Sequence, residues 1–262
     1  MEADIKALHW RHEPKLKKPI MIAAFEGWND GSRAATNALQ RLVRDFEAQK
    51  FAELDPEHFY VFSENRPTVR WIDGFTRHLD WQTNVFYEAK LPGTNQDVVL
   101  FHGTEPNLLW RNYCSNLTEV AKRLGVGMVI TLGAYLADVL YTLPVQVNGF
   151  SSDPALMEKH ELKRSSYEGP TGIVGVLTNH SQVLGHTTLS LWAAVPYYIS
   201  IPNPKAVQAL ITQLKNIFGF EYNMSVLEKE ADVFDNEIND VVARDPNVAA
   251  YVRELKKREF LN

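Results

Sequence analysis

The strongest constraint on the fold is an unbroken apolar segment, PIMIAAF at residues 19–25, which a helical pattern follows after a short turn. A strand that lacks polar alternation is buried on both faces, as in parallel sheets covered by helices. The next segment repeats apolar residues at helical spacing from Ala34 to Phe46. Together these patterns predict a strand, a turn and a helix, which is the repeating unit of an α/β sheet.

Similar apolar segments alternate with helical patterns along most of the chain. A helix is predicted from Pro106 to Leu124, and a shorter one after Asp153 and Pro154, because proline is favoured in the first turn of a helix. We therefore predict an α/β protein, a three-layer α/β/α sandwich around a mostly parallel sheet. Further strands are predicted at residues 59–62, 98–101, 128–132, 144–147 and 171–177, with an extended segment at 187–198.

The chain changes character after Asn203, where three helical segments follow one another, at residues 205–218, 225–242 and 247–258. No low-complexity tract, internal repeat or linker divides the 262 residues. We expect a single domain over residues 1–262, with an α/β core at residues 19–202 and a helical C-terminal extension at residues 203–262.

The segment at residues 69–91 differs from the rest because it is rich in aromatic residues and contains the turn signal Asp73-Gly74. This pattern predicts a hairpin or meander at a sheet edge. Its aromatic residues pack within the sheet or, if they are exposed, form an interface patch. They are Trp71, Phe75, Trp81, Phe86 and Tyr87.

Composition argues against several classes of protein. The net charge of −5 argues against nucleic-acid binding, which usually depends on a basic face. The lone cysteine, Cys114, cannot form a disulfide within one chain, and it lies in an apolar helical pattern that predicts a buried packing thiol. No apolar run reaches the roughly 18 residues of a membrane span, and the first residues lack the apolar region of a signal peptide. We expect a cytoplasmic protein that binds neither membrane nor nucleic acid.

The candidate site consists of four polar, glycine-rich segments. Three of them follow predicted strands and the fourth precedes one, and ligands of open α/β sheets bind where parallel strands end. Paired carboxylates there could share a proton, and helix N-termini could bind an anion. Alternatively, the acidic residues cap helices and the glycines permit tight turns. The candidate residues are Glu26, Gly27, Trp28, Asp30, His102, Glu105, Gly133, Asp138, Tyr167, Glu168, Gly169 and Thr171.

Signature motifs of common enzymes are absent from the sequence. It contains no HExxH or CxxC spacing, no GxSxG elbow, no GxGxxG fingerprint and no GxxxxGK[ST] loop. We therefore predict no catalytic residue, no metal site and no cofactor.

The segments FEGWNDG, HGTEPNLLWR, TLGAYLADV, SSYEGPTGIVGVL and LWAAVPYYISIPNPKA, in this order, resemble the proteasome assembly chaperone 2 family in its actinobacterial and archaeal form. The resemblance spans roughly residues 20–206, most of the predicted core. It implies a fold similar to that of nucleoside phosphorylases. It also implies a non-catalytic homo-oligomer, a trimer on family grounds, that works with proteasome α subunits. Family members often end in a hydrophobic-Tyr-X tail that docks between α subunits, whereas this chain ends Phe260-Leu261-Asn262 without the penultimate tyrosine, so tail docking stays an open question.

Two hypotheses for the polar turn remain open at this point. In a chaperone, Gly27 and Gly31 shape the turn, Trp28 packs, and the acidic residues accept backbone hydrogen bonds. In an enzyme or ligand-binding protein, Glu26, Asp30 and Glu105 would line a phosphorylase-like pocket for a nucleoside or another anionic metabolite. A third hypothesis concerns the function of the whole chain and not the turn: the protein is a scaffold that binds another protein through its C-terminal helices.

Overall fold

The computed structural model describes residues 7–163 and 167–259. The terminal segment 260–262, for which tail docking was considered, lies outside the described residues. The strands are β1 (Leu8–Trp10), β2 (Ile20–Glu26), β3 (Gln49–Leu54), β4 (Thr68–Trp71), β5 (Arg77–Asp80), β6 (Asn84–Lys90), β7 (Asp97–Thr104), β8 (Met128–Ala137), β9 (Val147–Ser151) and β10 (Thr187–Pro196). The helices are α1 (Ala34–Asp45), α2 (Trp110–Arg123), α3 (Pro154–Lys159), α4 (Ile173–Val183), α5 (Pro204–Phe218), α6 (Ser225–Arg244) and α7 (Pro246–Glu259).

The central sheet has eight strands within the described ranges, in the order β1-β3-β6-β7-β2-β8-β10-β9. Its centre, β7-β2-β8-β10, is parallel, and the outer pairs are antiparallel. Because β3 runs in the same direction as this centre, five strands share one direction. The prediction of an α/β protein with a mostly parallel sheet and C-terminal helices is confirmed.

Strand β2 shows why both faces of the sheet are covered. Ile20, Ile22 and Ala24 pack with α1 and α5 on one face, whereas the alternate residues Met21 and Ala23 pack with α2 and α4 on the other. Successive side chains of a strand point to opposite faces, so an unbroken apolar strand fills two cores at once. The three layers follow directly from this segment.

The C-terminal helices continue one of these layers. Helix α5 packs against α1 and β10, α6 packs against α5, and α7 packs against α6. Asn203 caps α5 by accepting the Ala206 amide at 3.1 Å. A further apolar cluster, which includes Tyr141, Phe234 and Val252, holds α6 and α7 against the loop after β8. Every helix in the described ranges is too short or too polar to cross a bilayer.

Three local predictions are wrong. Residues 171–177 were expected to form a strand, but α4 begins at Ile173, because a short apolar run fits a buried helix as well as a strand. Residues 59–62 form an irregular segment after the short 3-10 helix Pro56–His58, and the strand of this region is β3. Helix α2 begins at Trp110, whereas Pro106 lies in the loop before it.

Two other predictions differ in detail. The hairpin forms around Asp73-Gly74 as expected, but β4 and β5 form a separate two-stranded sheet and not an edge of the main one. The strand expected at residues 144–147 lies slightly later in the chain, as β9 (Val147–Ser151).

Asp153 caps α3, as the Asp-Pro pair predicts, and its carboxylate accepts the Ala155 amide at 3.0 Å.

The environment of Cys114 yields a chemical prediction. The side chain is fully buried in α2, and burial raises the pKa of its thiol to about 12. We expect native protein at pH 8 to react with iodoacetamide about a thousandfold more slowly than urea-unfolded protein, because the thiolate is both scarce and inaccessible. Mass spectrometry of timed samples measures both rates. Comparable rates would contradict a packing role for this thiol.

Candidate functional site

The candidate site lies where the parallel strands β2 and β7 end side by side. Glu26, the last residue of β2, is opposite Thr104, the last residue of β7. The chain then turns through Gly27, whose φ of +135° favours glycine and whose absent Cβ would lie 2.8 Å from the Glu105 Cβ. The close approach of these two loops therefore requires glycine at position 27.

Glu105 joins three segments that are far apart in the sequence. One carboxylate oxygen accepts the Trp28 amide at 3.1 Å, and the other accepts the Ile173 amide at 2.8 Å. The first of these amides belongs to the turn after β2, and the second is the first amide of α4. The Glu105 backbone amide also donates to the Glu26 carbonyl at 2.8 Å. An acidic group at a helix N-terminus satisfies free N–H groups and the helix dipole, so this residue stabilises the junction.

Asp30 performs a similar role for α1. Its carboxylate accepts the Ala35 and Thr36 amides at 2.9 and 3.1 Å and also binds the Thr36 hydroxyl. The side chain is buried, and this burial raises the pKa of the carboxyl group despite the hydrogen bonds it accepts. The carboxylate is thus fully engaged by its own helix.

Asn29 completes the junction and was not among the predicted site residues. Its carbonyl accepts the Ala134 amide of β8 at 2.8 Å, and its buried side-chain oxygen lies 3.4 Å from the Val174 amide of α4. A Cβ at Gly172 would overlap both this oxygen and the Glu105 carboxylate. Three loops therefore meet at one point with no spare volume.

Glu26 lies in a charged group beside this junction. Its carboxylate is 3.1 Å from the Arg33 guanidinium and 3.3 Å from His102 Nε2. The hydrogen bond from His102 and the nearby Arg33 charge lower the pKa of Glu26, although partial burial opposes them. His102 is itself buried and lies 3.4 Å from the Gln40 amide nitrogen. A carboxylate next to an imidazole could transfer a proton, but within the described residues no serine, threonine or cysteine side chain is hydrogen-bonded to either group.

An open cleft of about 570 Å³ lies next to the junction. Asn107 organises its wall, because its side-chain oxygen accepts the Val61 amide at 3.0 Å and the Asn65 amide group at 2.6 Å. Its own amide group donates to Glu64 at 3.2 Å. The lining includes three predicted residues, Glu26, Gly27 and Glu105, and five others: Asn65, Thr104, Pro106, Asn107 and Trp110.

The remaining predicted residues are placed differently. Gly133 lies in β8 next to Ala134, which pairs with Asp30, and its missing side chain makes room for the Trp192 ring. Asp138 is exposed just after the end of β8. Because β8 continues from Ala134 to Ala137 at about 3.3 Å per residue, Asp138 lies roughly 10 Å or more from the pairing of Asp30 with Ala134. The segment before α4 is exposed on the surface, and it contains Tyr167, Glu168, Gly169 and Thr171.

Trp28 departs from the chaperone hypothesis, in which it packs. The indole is 64% exposed, and the backbone amide is what joins the residue to Glu105. In the part of the chain that the structure describes, no group of three or more His, Cys, Asp or Glu side chains could hold a metal ion. The fold and the site together define a three-layer α/β/α protein whose acidic residues mainly hold its own turns and helices.

The chain belongs to the PAC2 family, whose model matches residues 24–242. A PAC2 family protein of Streptomyces avermitilis is 42% identical, with a TM-score of 0.82, over 89% of this chain and 99% of that one. A Mycobacterium tuberculosis proteasome-assembly chaperone homologue is 39% identical over the same shares of the two chains, with a TM-score of 0.81. An archaeal proteasome activator of Pyrococcus furiosus shares the fold, at 21% identity and a TM-score of 0.72 over 89% of this chain and 97% of its own. No curated protein matches.

Replacement of Gly172 tests the tight packing of the junction. We expect Gly172→Ala to lower the free energy of unfolding by about 2 kcal/mol or more, because the added methyl group displaces Asn29 or Glu105. Gly127→Ala is the matched control, since its Cβ would meet only the Pro19 carbonyl at 3.9 Å. Urea unfolding followed by circular dichroism measures both variants. Equal stability of the two variants would contradict the proposed packing.

Asp30 provides a second test. We expect Asp30→Ala to cost about 2 kcal/mol, because two amides of α1 lose their acceptor. Asp30→Asn should cost less than about 1 kcal/mol, since the amide oxygen still caps the helix and carries no buried charge.

The same pair of variants predicts a pH effect. Because the folded pKa of Asp30 lies above its unfolded value, the folded state binds this proton first as the pH falls. The Asp30 contribution to stability therefore increases as the pH falls from the folded pKa towards the unfolded pKa. Urea unfolding between pH 7 and pH 4 should show this gain in the wild type relative to Asp30→Asn. An opposite slope would contradict the burial effect.

Proposed function

We propose that the protein acts through protein–protein contacts as a proteasome-assembly-chaperone-like homo-oligomer. The observation that carries this proposal is the use of the Glu105 and Asp30 carboxylates, which accept backbone amides of the protein itself. A carboxylate engaged in this way is not available to bind a substrate or transfer its proton. The surface then becomes the working part of the molecule.

The relatives support the same function. The Mycobacterium tuberculosis relative is described as a proteasome-assembly chaperone homologue, and the fold is shared with an archaeal proteasome activator. We therefore propose proteasome α subunits as the partner and a ring-shaped homo-oligomer, a trimer on family grounds, as the active form. A trimer of this chain would present three copies of each surface to a symmetric partner, which increases the effective affinity of each weak contact.

The open cleft supports a second candidate function, the binding of a small molecule. A volume of about 570 Å³ is within the usual range for ligand sites, and the side chains of Asn65 and Asn107 provide polar groups at its wall. Glu26 would be the charged group available there, although it is already paired with Arg33 and His102. This candidate predicts a ligand that depends on Glu26.

Native mass spectrometry of the tagged protein, isolated gently from its own cells, separates the two candidates. We expect an oligomer carrying proteasome α subunits, in equal yield from the wild type and from Glu26→Gln, because protein contacts do not require this cleft carboxylate. An intact oligomer without α subunits would contradict the proteasome part of the proposal. A stoichiometric small molecule that is bound to the wild type and lost from Glu26→Gln would favour the second candidate.

A further inference from the structure

The sheet face that packs against α2 and α4 is partly open at its outermost strands. Helix α4 packs against β8 and β10, whereas the main helix contacts of β9 are with α3 and α5, on the opposite face. Three aromatic side chains stand at this opening, one on each of three neighbouring strands: Tyr135, Trp192 and Phe150. Tyr135 is 38% exposed, Phe150 is 44% exposed and Trp192 is partly buried. We call these three residues the aromatic row.

The register of the strands places the aromatic row on one diagonal line. Tyr135 is opposite Ala194 of β10, two residues after Trp192. Phe150 is opposite Ser190 of β10, two residues before Trp192. Because side chains alternate between the faces of a strand, these even offsets put all three rings on the same face. Diagonal neighbours on adjacent strands are about 7–8 Å apart, so the three residues are almost evenly spaced.

The indole of Trp192 is held in one orientation. A Cβ at Gly133 would lie 2.5, 2.7 and 2.8 Å from three neighbouring carbon atoms of the indole, so the face of the ring, and not its edge, covers this glycine. The ring nitrogen donates to Ser190 Oγ at 2.9 Å, and the same oxygen accepts the Thr131 hydroxyl at 2.8 Å. The indole therefore lies flat on β8.

The ring of Tyr135 is fixed across the same strands from the other side. Its hydroxyl oxygen accepts the side-chain amide of Asn148 at 2.7 Å. Because Asn148 lies on β9, the tyrosine side chain reaches from β8 across β10. This bond uses a lone pair of the oxygen, so the hydroxyl hydrogen can still donate to another group. An aromatic side chain held in this way loses little entropy when it binds a ligand.

An extended proline-rich segment matches the geometry of the aromatic row. A polyproline II helix has three residues per turn and rises about 3.1 Å per residue, so every third residue returns to the same face after about 9 Å. This repeat is close to the spacing of the row. The carbonyl groups of such a helix form no internal hydrogen bonds, so one of them can accept the Tyr135 hydroxyl. Surfaces lined with aromatic residues recognise polyproline II segments in several domain families.

Charge separates this ligand from single-stranded nucleic acid, which also stacks on aromatic sheet faces. Nucleic-acid binding of that kind needs Lys and Arg contacts to the phosphate groups as well as stacking. The chain has a net charge of −5, and the aromatic row and Asn148 are all uncharged. A phosphate chain would be repelled by the net negative charge, whereas a proline-rich segment carries no charge that must be neutralised.

We propose that the aromatic row binds a proline-rich segment of a partner protein in the polyproline II conformation. Residues from successive turns of the segment pack on the three rings, and the Tyr135 hydroxyl donates to a carbonyl of the segment. The inference adds an interaction surface to the proposed function and names the kind of segment that it takes. It requires neither an oligomer nor proteasome subunits, so it can fail while the proposed function stands.

Fluorescence anisotropy with a labelled decaproline peptide tests the proposal on the purified full-length protein. We expect saturable binding with a dissociation constant of about 1 mM or lower. A peptide of alternating glycine and serine, equal in length, is the control ligand, because such a chain is a flexible coil. It should bind at least about tenfold more weakly, since it lacks both the apolar rings and the preformed helix.

Three variants locate the binding site. The row variant, Tyr135→Ser with Phe150→Ser, removes two exposed rings and should raise the dissociation constant of decaproline at least about tenfold. Tyr135→Phe keeps the ring but loses the hydroxyl, and should raise it only about threefold. The control variant, Phe75→Ser, removes a 91% exposed ring from the hairpin of β4 and β5 and should bind like the wild type. Circular dichroism should show native helix content for each variant.

Four results would overturn the inference. Equal binding of decaproline and the glycine-serine peptide would show that no polyproline II helix is recognised. Equal binding of decaproline by the wild type and the row variant would place the site elsewhere. A labelled oligouridine that binds the wild type more tightly than decaproline does would show that the row stacks bases.

The fourth result concerns a second copy of this chain. If the wild type does not bind decaproline and the row variant sediments as a smaller species than the wild type, the row is covered by another copy. An α-subunit complex found by native mass spectrometry beside any of these four results would leave the proposed function intact and overturn only this inference.

Discussion

The hydrogen bonds of the Glu105 carboxylate are the interaction on which the rest of the site depends. They tie the end of β7 to the turn after β2 and to the first turn of α4, which lies on one face of the sheet. The Ile173 amide would otherwise be a free N–H group at the partly buried start of α4, which is costly. Because Glu105 and Gly27 also border the cleft, the same contact sets the position of the cleft.

The parts of the fold that were predictable are those in which a local pattern has one solution. Residues 20–25 are apolar at every position and so indicate a strand buried on both faces, and Ala34 to Phe46 has unambiguous helical spacing. The segment TGIVGVL has two solutions, because β-branched residues suit a strand but a buried helix has the same composition. A contact with Glu105, 68 residues earlier in the chain, helps to select the helix. No window of local sequence contains that information.

The candidate site was predictable to a similar degree. Glycine and acidic residues after two apolar strands indicated a common edge, and β2 and β7 do end together. Asp138 does not join them, because β8 continues well past the end of its pairing with β2 before it ends. Asn65 and Asn107 could not be found from the sequence, because both lie in loops. The shape of these loops depends on residues 59–62, which have the sequence pattern of a strand but form an irregular segment. Sequence patterns therefore located the junction but not the cleft beside it.

The structure separates the polar residues that build the molecule from the surface available to a partner. The Asp30 and Glu105 carboxylates accept backbone amides at the junction, which fixes the geometry of three loops and leaves little freedom for chemistry. The hairpin of β4 and β5 shows the opposite arrangement, because its backbone shape is fixed at both ends while its apolar side chains face solvent. Exposure of Phe75 and Ile72 on a rigid hairpin contributes nothing to the stability of one chain. Such a surface gains its stabilisation when another chain covers it, which is why we place the function of this protein in its contacts.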